Sequence, residues 1–235
     1  MALERMDIDN CDDPLQVALH CHRYDFVLAR LPAGQNVLEI GTGLGTFTKK
    51  LLPRCGSYVG VEFDPVACLE AQKKNHPAEI IEADARKLPF ADNQFSFIVC
   101  LEVLEHLGDW QAGVKNIHRC LRTDGTAIIS VPHRYSGGKS AANQFHLYEP
   151  GERELVSLLK QLFANVEIHY LYFEETLGMT IARIFHLRRL LGLDRIYADL
   201  SAGLPSATTR LCVSPRQKGM KISLLAVVSG KKSAS

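Results

Sequence analysis

Three glycines at alternate positions follow a short apolar stretch near the start of the chain. They are Gly41, Gly43 and Gly45 in the run V-L-E-I-G-T-G-L-G-T, which ends at Thr46. A glycine turn after an apolar strand lets a ligand lie against bare backbone, because no side chain stands between them. The backbone N–H groups at the start of a helix predicted from Thr46 are suited to a carboxylate or a phosphate. This spacing predicts a site for a small cofactor that carries a nucleoside.

Glu62 is the second residue whose position indicates chemistry. It closes the next apolar run, 58–63. The second strand of a doubly wound sheet delivers an acid to ribose hydroxyls at about this distance from the glycine turn. The turn and the acid together suit either a nicotinamide dinucleotide or S-adenosylmethionine.

Carboxylates at the ends of the predicted strands separate these two cofactors. Glu39 precedes the glycine turn, and Glu62, Asp84, Glu102 and Glu105 end or follow later strands. The carboxyl ends of parallel strands form the ligand crevice of an open α/β sheet. Carboxylates repel a pyrophosphate and attract a sulfonium or an ammonium group, so we expect S-adenosylmethionine. Helix capping is an equally good explanation for Glu105.

Strand and helix signals alternate along the chain. Helix starts are predicted at Asp13-Pro14, for a helix to Leu31, and at Asp64-Pro65, for a helix to about Asn75. A further helix is predicted at 152–163. The predicted strands are 37–40, 58–63, 79–83, 97–101, 127–131, 166–173 and 221–229. This alternation is typical of a doubly wound α/β fold with a parallel sheet and right-handed crossovers.

The ordered motifs resemble those of the class I S-adenosylmethionine-dependent methyltransferases. The resemblance covers about residues 20–175 and rests on V-L-E-I-G-T-G-L-G, G-V-E-F-D-P, A-D-A-R-K-L-P-F-A-D-N-Q-F-S-F-I-V, E-V-L-E-H-L, L-R-T-D-G-T-A-I-I-S-V-P-H and N-Q-F-H-L-Y-E. It implies a Rossmann-like sheet of seven strands, mostly parallel with an antiparallel last strand, and helices on both faces. It also implies a methyltransferase that uses S-adenosyl-L-methionine.

The resemblance assigns cofactor contacts residue by residue. It implies that the glycines face the methionine moiety, that the acid of G-V-E-F-D-P binds the ribose and that the following aromatic residue packs on adenine. The positions so assigned are Glu39, Gly41, Thr42, Gly43, Gly45, Glu62, Phe63, Asp84, Ala85, Leu101 and Glu102.

Histidines near the fifth predicted strand are the candidates for a proton acceptor. His133 directly follows that strand, Tyr135 comes two residues later, and His146 lies in the loop beyond. Imidazole titrates near neutral pH and can accept a proton from a hydroxyl, although a purely structural loop histidine is the alternative for each. His106, in E-V-L-E-H-L, resembles a recurring family position that shapes the pocket. No metal site is expected, because the run 20–22, H-C-H, forms no recognised ligand set.

The resemblance implies a small-molecule, glycan or lipid-linked methyl acceptor. Relatives with the N-x-F-H tail and an insertion before the last strand act on hydroxyls of glycans, lipid-linked molecules or quinones. The chain lacks the N-P-P-Y or D-P-P-Y motif of amino-methylating enzymes, which favours oxygen or carbon as the acceptor atom. Nucleic acid is not expected as a partner, since the formal net charge is only +1.

The segment 177–218 lies outside the core pattern and is strongly basic. It holds seven basic and two acidic residues, and apolar residues recur at helical spacing over 177–191. Three interpretations stay open: an ordinary helix packed on the domain, a lid over an anionic acceptor, or a helix lying on an anionic membrane surface.

Length and composition favour one domain. Residues 1–235, 46% of them apolar, are predicted to form a single methyltransferase domain, with an N-terminal helical segment at 1–31 and the basic amphipathic insertion at 177–218. Seven cysteines without a C-x-x-C pair favour a reducing compartment, and the first residues lack the apolar core of a signal peptide. We therefore expect a cytoplasmic protein.

Two other functions fit the fold. A nicotinamide-dependent oxidoreductase is disfavoured by the surplus of acids and by the lack of a Ser/Tyr-x-x-x-Lys proton relay. A non-catalytic module that keeps the cofactor fold for partner binding is disfavoured by the intact glycine turn with Glu62 and Asp84.

Overall fold

Eight strands form one mixed sheet in the computed structural model, which describes residues 14–140, 143–174, 211–214 and 219–232. The strands are β1 (Gln35–Ile40), β2 (Cys55–Glu62), β3 (Glu79–Glu82), β4 (Phe95–Leu101), β5 (Leu121–Pro132), β6 (Phe163–Glu174), β7 (Leu211–Ser214) and β8 (Gly219–Lys231). The helices are α1 (Pro14–Leu28), α2 (Thr48–Leu51), α3 (Pro65–Asn75), α4 (Trp110–Cys120) and α5 (Glu152–Leu162).

The strand order is β3-β2-β1-β4-β5-β8-β6-β7. The pairs among β1 to β5 are parallel, whereas β8 runs antiparallel to both β5 and β6. The predicted doubly wound α/β sheet with an antiparallel last strand is therefore confirmed. Its carboxyl edge brings the ends of β1, β2, β3 and β4 together, because parallel strands share one direction.

Alternate residues of the central strands point to opposite faces of the sheet. In β1, Val37 joins the core formed with α1, α2 and α3, whereas Leu38 joins the core formed with α4 and α5. In β4, Phe97 joins the core formed with α1, α2 and α3, and Ile98 joins the core formed with α4 and α5. Helices cover both faces, so these strands are apolar on both sides.

Each of the seven predicted strands forms, and two details of the sequence prediction are wrong. The helix predicted from Thr46 is a single turn, α2, that continues into a 3₁₀ turn at Leu52–Arg54, because Pro53 cannot continue the α-helical hydrogen bonding. Helix α1 ends at Leu28 rather than Leu31, since the residue before Pro32 is disfavoured in helical conformation.

Part of the sequence prediction lies outside the described residues. This applies to residues 1–13 of the predicted N-terminal segment and to most of the basic segment 177–218, including all of 177–191. Within 211–214 an eighth strand, β7, pairs antiparallel with β6 at the sheet edge, which the sequence analysis did not predict. Among the described helices, none is long and apolar enough to cross a membrane.

Helix α3 fixes the glycine turn through Asn75, which is buried. The Asn75 side-chain N–H₂ group donates to the carbonyl of Gly45 and to the carbonyl of Ala71, each at 2.9 Å. A Cβ at Gly45 would lie 2.3 Å from that nitrogen, so the turn and the helix are in close contact. At the other end of α3, Asp64 caps the helix by accepting from the N–H groups of Val66 and Ala67, as its position before Pro65 predicts.

Replacing Asn75 with alanine should lower the free energy of unfolding by about 1–3 kcal/mol, because the buried Gly45 carbonyl loses its donor. Urea denaturation followed by circular dichroism measures this loss. Lys73→Ala, at an exposed position of the same helix, is the control and should stay within about 0.5 kcal/mol of the parent protein. Equal losses for the two variants would contradict a specific role for Asn75.

Candidate active site

A cavity of about 1050 Å³ opens at the carboxyl edge of the sheet. Its walls come from the glycine turn after β1, the ends of β2, β3 and β4, helix α1, and the loop 143–147. The predicted cofactor residues among its lining are Gly41, Thr42, Gly43, Glu62, Phe63, Asp84, Ala85, Leu101 and Glu102. Residues distant in sequence thus meet in one pocket, at the edge where open α/β sheets bind ligands.

The three glycines of the turn have different structural roles. All have positive φ angles, between 56° and 78°. A Cβ at Gly41 would lie 2.4 Å from Cγ2 of Val103, whereas a Cβ at Gly43 would meet nothing within 4 Å and would enter the cavity. Gly45, predicted to face the cofactor, is not among the lining residues and packs against α3. Gly41 and Gly43 both line the cavity, but the missing side chain of Gly41 makes room for Val103, whereas Gly43 leaves open backbone.

Glu62 is held at the cavity wall by backbone donors. Its carboxylate accepts from the N–H of Gly43 at 2.8 Å and from the N–H of Asp64 at 3.0 Å. Each carboxylate oxygen can accept more than one hydrogen bond, so Glu62 can also accept from ligand hydroxyls. The hydrogen bond from Gly43 joins the glycine turn to the end of β2, and the role of Glu62 in ribose binding stays a prediction.

Phe63 and Asp84 lie on the wall assigned to the adenine ring. The Phe63 side chain is 59% exposed, which is unusual for an aromatic residue and leaves its face open to a flat ring. Asp84 forms an ion pair with Arg86, whose Nη2 lies 2.6 Å from Oδ2 and whose Nε lies 3.0 Å from Oδ1. These hydrogen bonds lower the pKa of the Asp84 carboxyl.

Glu39 is buried beneath the glycine turn and does not line the cavity. Its carboxylate accepts from the hydroxyl of Tyr24 at 2.5 Å, from that of Thr48 at 3.0 Å and from that of Tyr58. Burial raises the pKa of the Glu39 carboxyl and raises that of both tyrosines. The structure thus places Glu39 in a network that supports the site, rather than on the wall predicted for it.

Arg23 is a cavity residue that sequence analysis missed. It is only 3% exposed, and its Nη2 donates to Glu102 at 3.0 Å and to the hydroxyl of Ser223 at 2.7 Å. Within the described residues, its Nε and Nη1 have no hydrogen-bond partner. Buried guanidinium donors on a cavity wall suit a carboxylate of a bound ligand. Arg23 lies in the helical run R-Y-D-F, where no spacing marks it.

Glu102 is held in an uncommon backbone conformation. Its φ angle is +54°, which is rare for a residue with a side chain. Its carboxylate accepts from the hydroxyl of Ser130 at 2.7 Å in addition to its ion pair with Arg23. Such conformations persist where the surrounding structure requires them, often at functional sites.

The predicted proton acceptors separate into two groups. His133 is turned towards Glu152, with its Nε2 at 2.9 Å from Oε2, and its ring packs edge-to-face against Tyr135 and Tyr170. Neither His133 nor Tyr135 is among the described residues that line the cavity, whereas His146 is. The roles of all three remain predictions, and the geometry favours His146.

His146 belongs to a cluster with His106 and Glu105 on the cavity wall. The rings of His106 and His146 are 5.0 Å apart and meet edge-to-face. Glu105 is 1% exposed, and burial, together with the nearby Glu102, raises the pKa of its carboxyl well above the usual value. Sequence analysis noted the two histidines separately, and left open whether Glu105 caps a helix or belongs to the ligand crevice.

Comparison with known proteins finds similarity to methyltransferases. A family model described as "Methyltransferase domain" matches residues 38–129, from β1 into β5. A "Probable S-adenosylmethionine-dependent methyltransferase" of Mycolicibacterium smegmatis is 29% identical over 178 residues, which is 73% of this chain and 65% of that protein. Counterparts in Mycobacterium tuberculosis are matched over 52% of their length, so the chain spans between half and two thirds of these relatives.

A second relative and a solved structure extend the comparison. The "Ubiquinone/menaquinone biosynthesis C-methyltransferase UbiE" of Coxiella burnetii is 26% identical, over 73% of this chain and 71% of that protein. A SAM-dependent methyltransferase from Archaeoglobus fulgidus has the same fold, with a TM-score of 0.62 at 15% identity, over 92% of this chain and 94% of that one. The chain thus shares the α/β fold of this solved methyltransferase. Residues 38–129 match the methyltransferase family model, and the chain is similar in sequence to S-adenosylmethionine-dependent methyltransferases.

His20 makes the stability of the folded protein depend on pH in a testable way. Burial, and then the nearby charge of Arg23, lower the pKa of His20 from 6.5 to about 3. Between these values the unfolded chain binds a proton at His20 that the folded protein does not, so stability falls as pH decreases through this window. His20→Gln should therefore lose less stability than the parent between pH 7 and pH 5, measured by urea denaturation. Identical losses in the two proteins would contradict a neutral, half-buried His20.

Proposed function

We propose that the protein transfers a methyl group from S-adenosylmethionine to a hydroxyl of a small-molecule, glycan or lipid-like acceptor. The observation that carries this proposal is the hydrogen bond between the Gly43 N–H and Glu62 at the wall of the 1050 Å³ cavity. It joins an open backbone turn to a ribose-binding carboxylate in one pocket. The match of residues 38–129 to the methyltransferase family model, and the similarity to S-adenosylmethionine-dependent methyltransferases, support the same cofactor.

The cavity residues fit S-adenosylmethionine. Glu62 would bind the ribose hydroxyls, Phe63 would pack on the adenine, and the buried N–H groups of Arg23 would bind the carboxylate of the methionine moiety. The carboxylate of Glu102, beside Arg23, adds negative potential near the cationic ligand. The cofactor supplies a methyl group on a positively charged sulfur that makes it electrophilic.

The protein's part in the reaction is to position the acceptor and to remove its proton. Binding both reactants in the right geometry makes the methyl transfer effectively unimolecular. This positioning accounts for much of the rate acceleration of such reactions. The wall with Glu105, His106 and His146 carries the basic groups that an acceptor with an ionisable hydroxyl needs. This wall supports an acceptor that carries a hydroxyl group.

Carbon methylation of a hydroxylated ring is a second candidate. It is favoured by the similarity to the C-methyltransferase of Coxiella burnetii. Removing a ring hydroxyl proton also activates the ring carbon, so the same wall serves this chemistry. Incubation with isotopically labelled S-adenosylmethionine and a panel of phenols, glycans and prenylated quinols, followed by NMR of the product, separates a methoxy group from a C-methyl group.

Binding of S-adenosylhomocysteine tests the cofactor site directly. In calorimetric titrations, Glu62→Ala and Asp84→Ala should each weaken binding about tenfold or more, because each removes a charged hydrogen-bond acceptor from the ligand. Glu82→Ala, an exposed acid at the end of β3, is the matched control and should bind like the parent protein. Binding of NAD in preference to S-adenosylhomocysteine, or binding insensitive to Glu62, would contradict the proposal.

A further inference from the structure

Three side chains with metal-binding atoms meet on the cavity wall. Glu105, His106 and His146 each offer one such atom, and the three atoms lie within 4.8 Å of one another. Two histidines and one carboxylate form a ligand set that holds Zn²⁺, Mn²⁺ or Fe²⁺ in many proteins while leaving positions open for other ligands. Since all three residues line the cavity, any open position would face it.

Hydrogen bonding does not account for the burial of the Glu105 side chain. Within the described residues, both of its carboxylate oxygens are buried and neither accepts a hydrogen bond from another residue. A buried carboxyl group without a partner is costly, and proteins rarely keep one unless a ligand or an ion satisfies it. A cation on the cavity wall would supply the missing interaction.

The backbone brings His146 to this carboxylate. The carbonyl oxygen of Glu105 accepts from the N–H of Leu147 at 2.9 Å and from the N–H of Tyr148 at 3.2 Å. These two bonds hold the loop that carries His146 against the segment that carries Glu105 and His106. The arrangement is therefore built into the fold rather than formed by two mobile side chains.

The hydrogen bonds of the two histidines match those of metal ligands. The Nδ1 of His106 lies 3.1 Å from the carbonyl oxygen of Phe145, and the Nδ1 of His146 lies 2.6 Å from Oε1 of Glu149. A carbonyl and a carboxylate only accept, so the tautomer inferred for each ring has its proton on Nδ1 and its lone pair on Nε2. Metal-binding histidines commonly donate their other N–H to such a group.

Asn143 and Arg134 complete this arrangement. The Nδ2 of Asn143 lies 3.0 Å from the Nε2 of His146, which agrees with a lone pair on that nitrogen, and a cation would displace this contact. Arg134 donates to Glu149 at 2.9 Å. Burial opposes ionisation of Glu149, but its hydrogen bonds from His146, Ser140 and Arg134 lower the pKa of the carboxyl overall.

We propose that Glu105, His106 and His146 bind a divalent first-row transition-metal cation that coordinates the hydroxyl of the methyl acceptor. This inference rests on the proposed function and narrows its acceptor to a molecule whose hydroxyl can ligate a cation. The cation lowers the pKa of the bound hydroxyl, and the proton leaves to water. The oxygen then uses a lone pair to form the bond to the methyl carbon, while the carbon–sulfur bond breaks and sulfur keeps the electron pair.

Metal titration of the full chain tests this site. After treatment with a chelator and dialysis, we expect the protein to bind one Mn²⁺ or Zn²⁺ per chain. Mn²⁺ binding is measured by the loss of the electron paramagnetic resonance signal of free Mn²⁺, and Zn²⁺ binding is measured by calorimetry. Glu105→Gln and His146→Gln should each weaken binding at least tenfold, whereas Glu82→Gln, which removes an exposed acid elsewhere, should not. Binding that is unchanged in both ligand variants would overturn the proposal.

Co²⁺ provides a readout of direct ligation. The visible absorption of bound Co²⁺ reports its ligands, so His146→Gln should change or abolish the spectrum of the Co²⁺-loaded protein. Circular dichroism checks that each variant is folded, and the two variants lie in different segments, so a folding defect in one leaves the other as a test. An identical Co²⁺ spectrum in a folded His146→Gln protein would show that His146 is not a ligand.

Titrating the same samples with S-adenosylhomocysteine distinguishes failure of the proposed metal site from failure of the proposed function. Binding of S-adenosylhomocysteine without binding of Mn²⁺, Zn²⁺ or Co²⁺ overturns the metal site and leaves the proposed function standing. Metal binding that depends on Glu105 and His146 supports the site, whether or not S-adenosylhomocysteine binds.

Discussion

The buried carboxylate of Glu39 joins the elements on which the cavity depends. It accepts from Tyr24 on α1, from Thr48 on α2 and from Tyr58 on β2. A buried carboxylate is tolerated only when its oxygens are satisfied, and removing a partner of such a group is strongly destabilising. The network therefore fixes α1 and the glycine turn relative to β1.

The position of α1 matters because Arg23, next to Tyr24, lies on the cavity wall. The hydrogen bond from Tyr24 to Glu39 holds this part of the helix on the sheet, and the ion pair between Arg23 and Glu102 connects it to the end of β4. The stacked rings of Tyr24 and Phe47, 4.2 Å apart, add a contact to the segment between the glycine turn and α2. A helix outside the alternating core thus completes one wall of the cavity.

The charge of the cavity is more balanced than a count of strand-end acids suggests. Glu39 is enclosed by hydroxyl groups, Asp84 is paired with Arg86, and Glu102 is paired with Arg23. The acids that remain differ in their surroundings: Glu62 is held by backbone N–H groups, whereas the Glu105 carboxylate accepts no hydrogen bond from another of the described residues. The walls of the cavity that carry Glu62 and Glu105 are therefore chemically distinct.

Local signals in the sequence determined the order of strands and helices and the position of the glycine turn. The glycine turn, the helix start at Asp64-Pro65, the alternation of strands and helices, and the acid at Glu62 each depend on neighbouring residues, so spacing alone predicts them. Tertiary structure decided the rest. It buried Glu39, brought Arg23 to the pocket, turned His133 towards Glu152 and joined His146 to Glu105, because those relations connect segments far apart in sequence. Strand β7 also depends on a distant partner, since an edge strand forms only where a neighbour offers unpaired backbone groups.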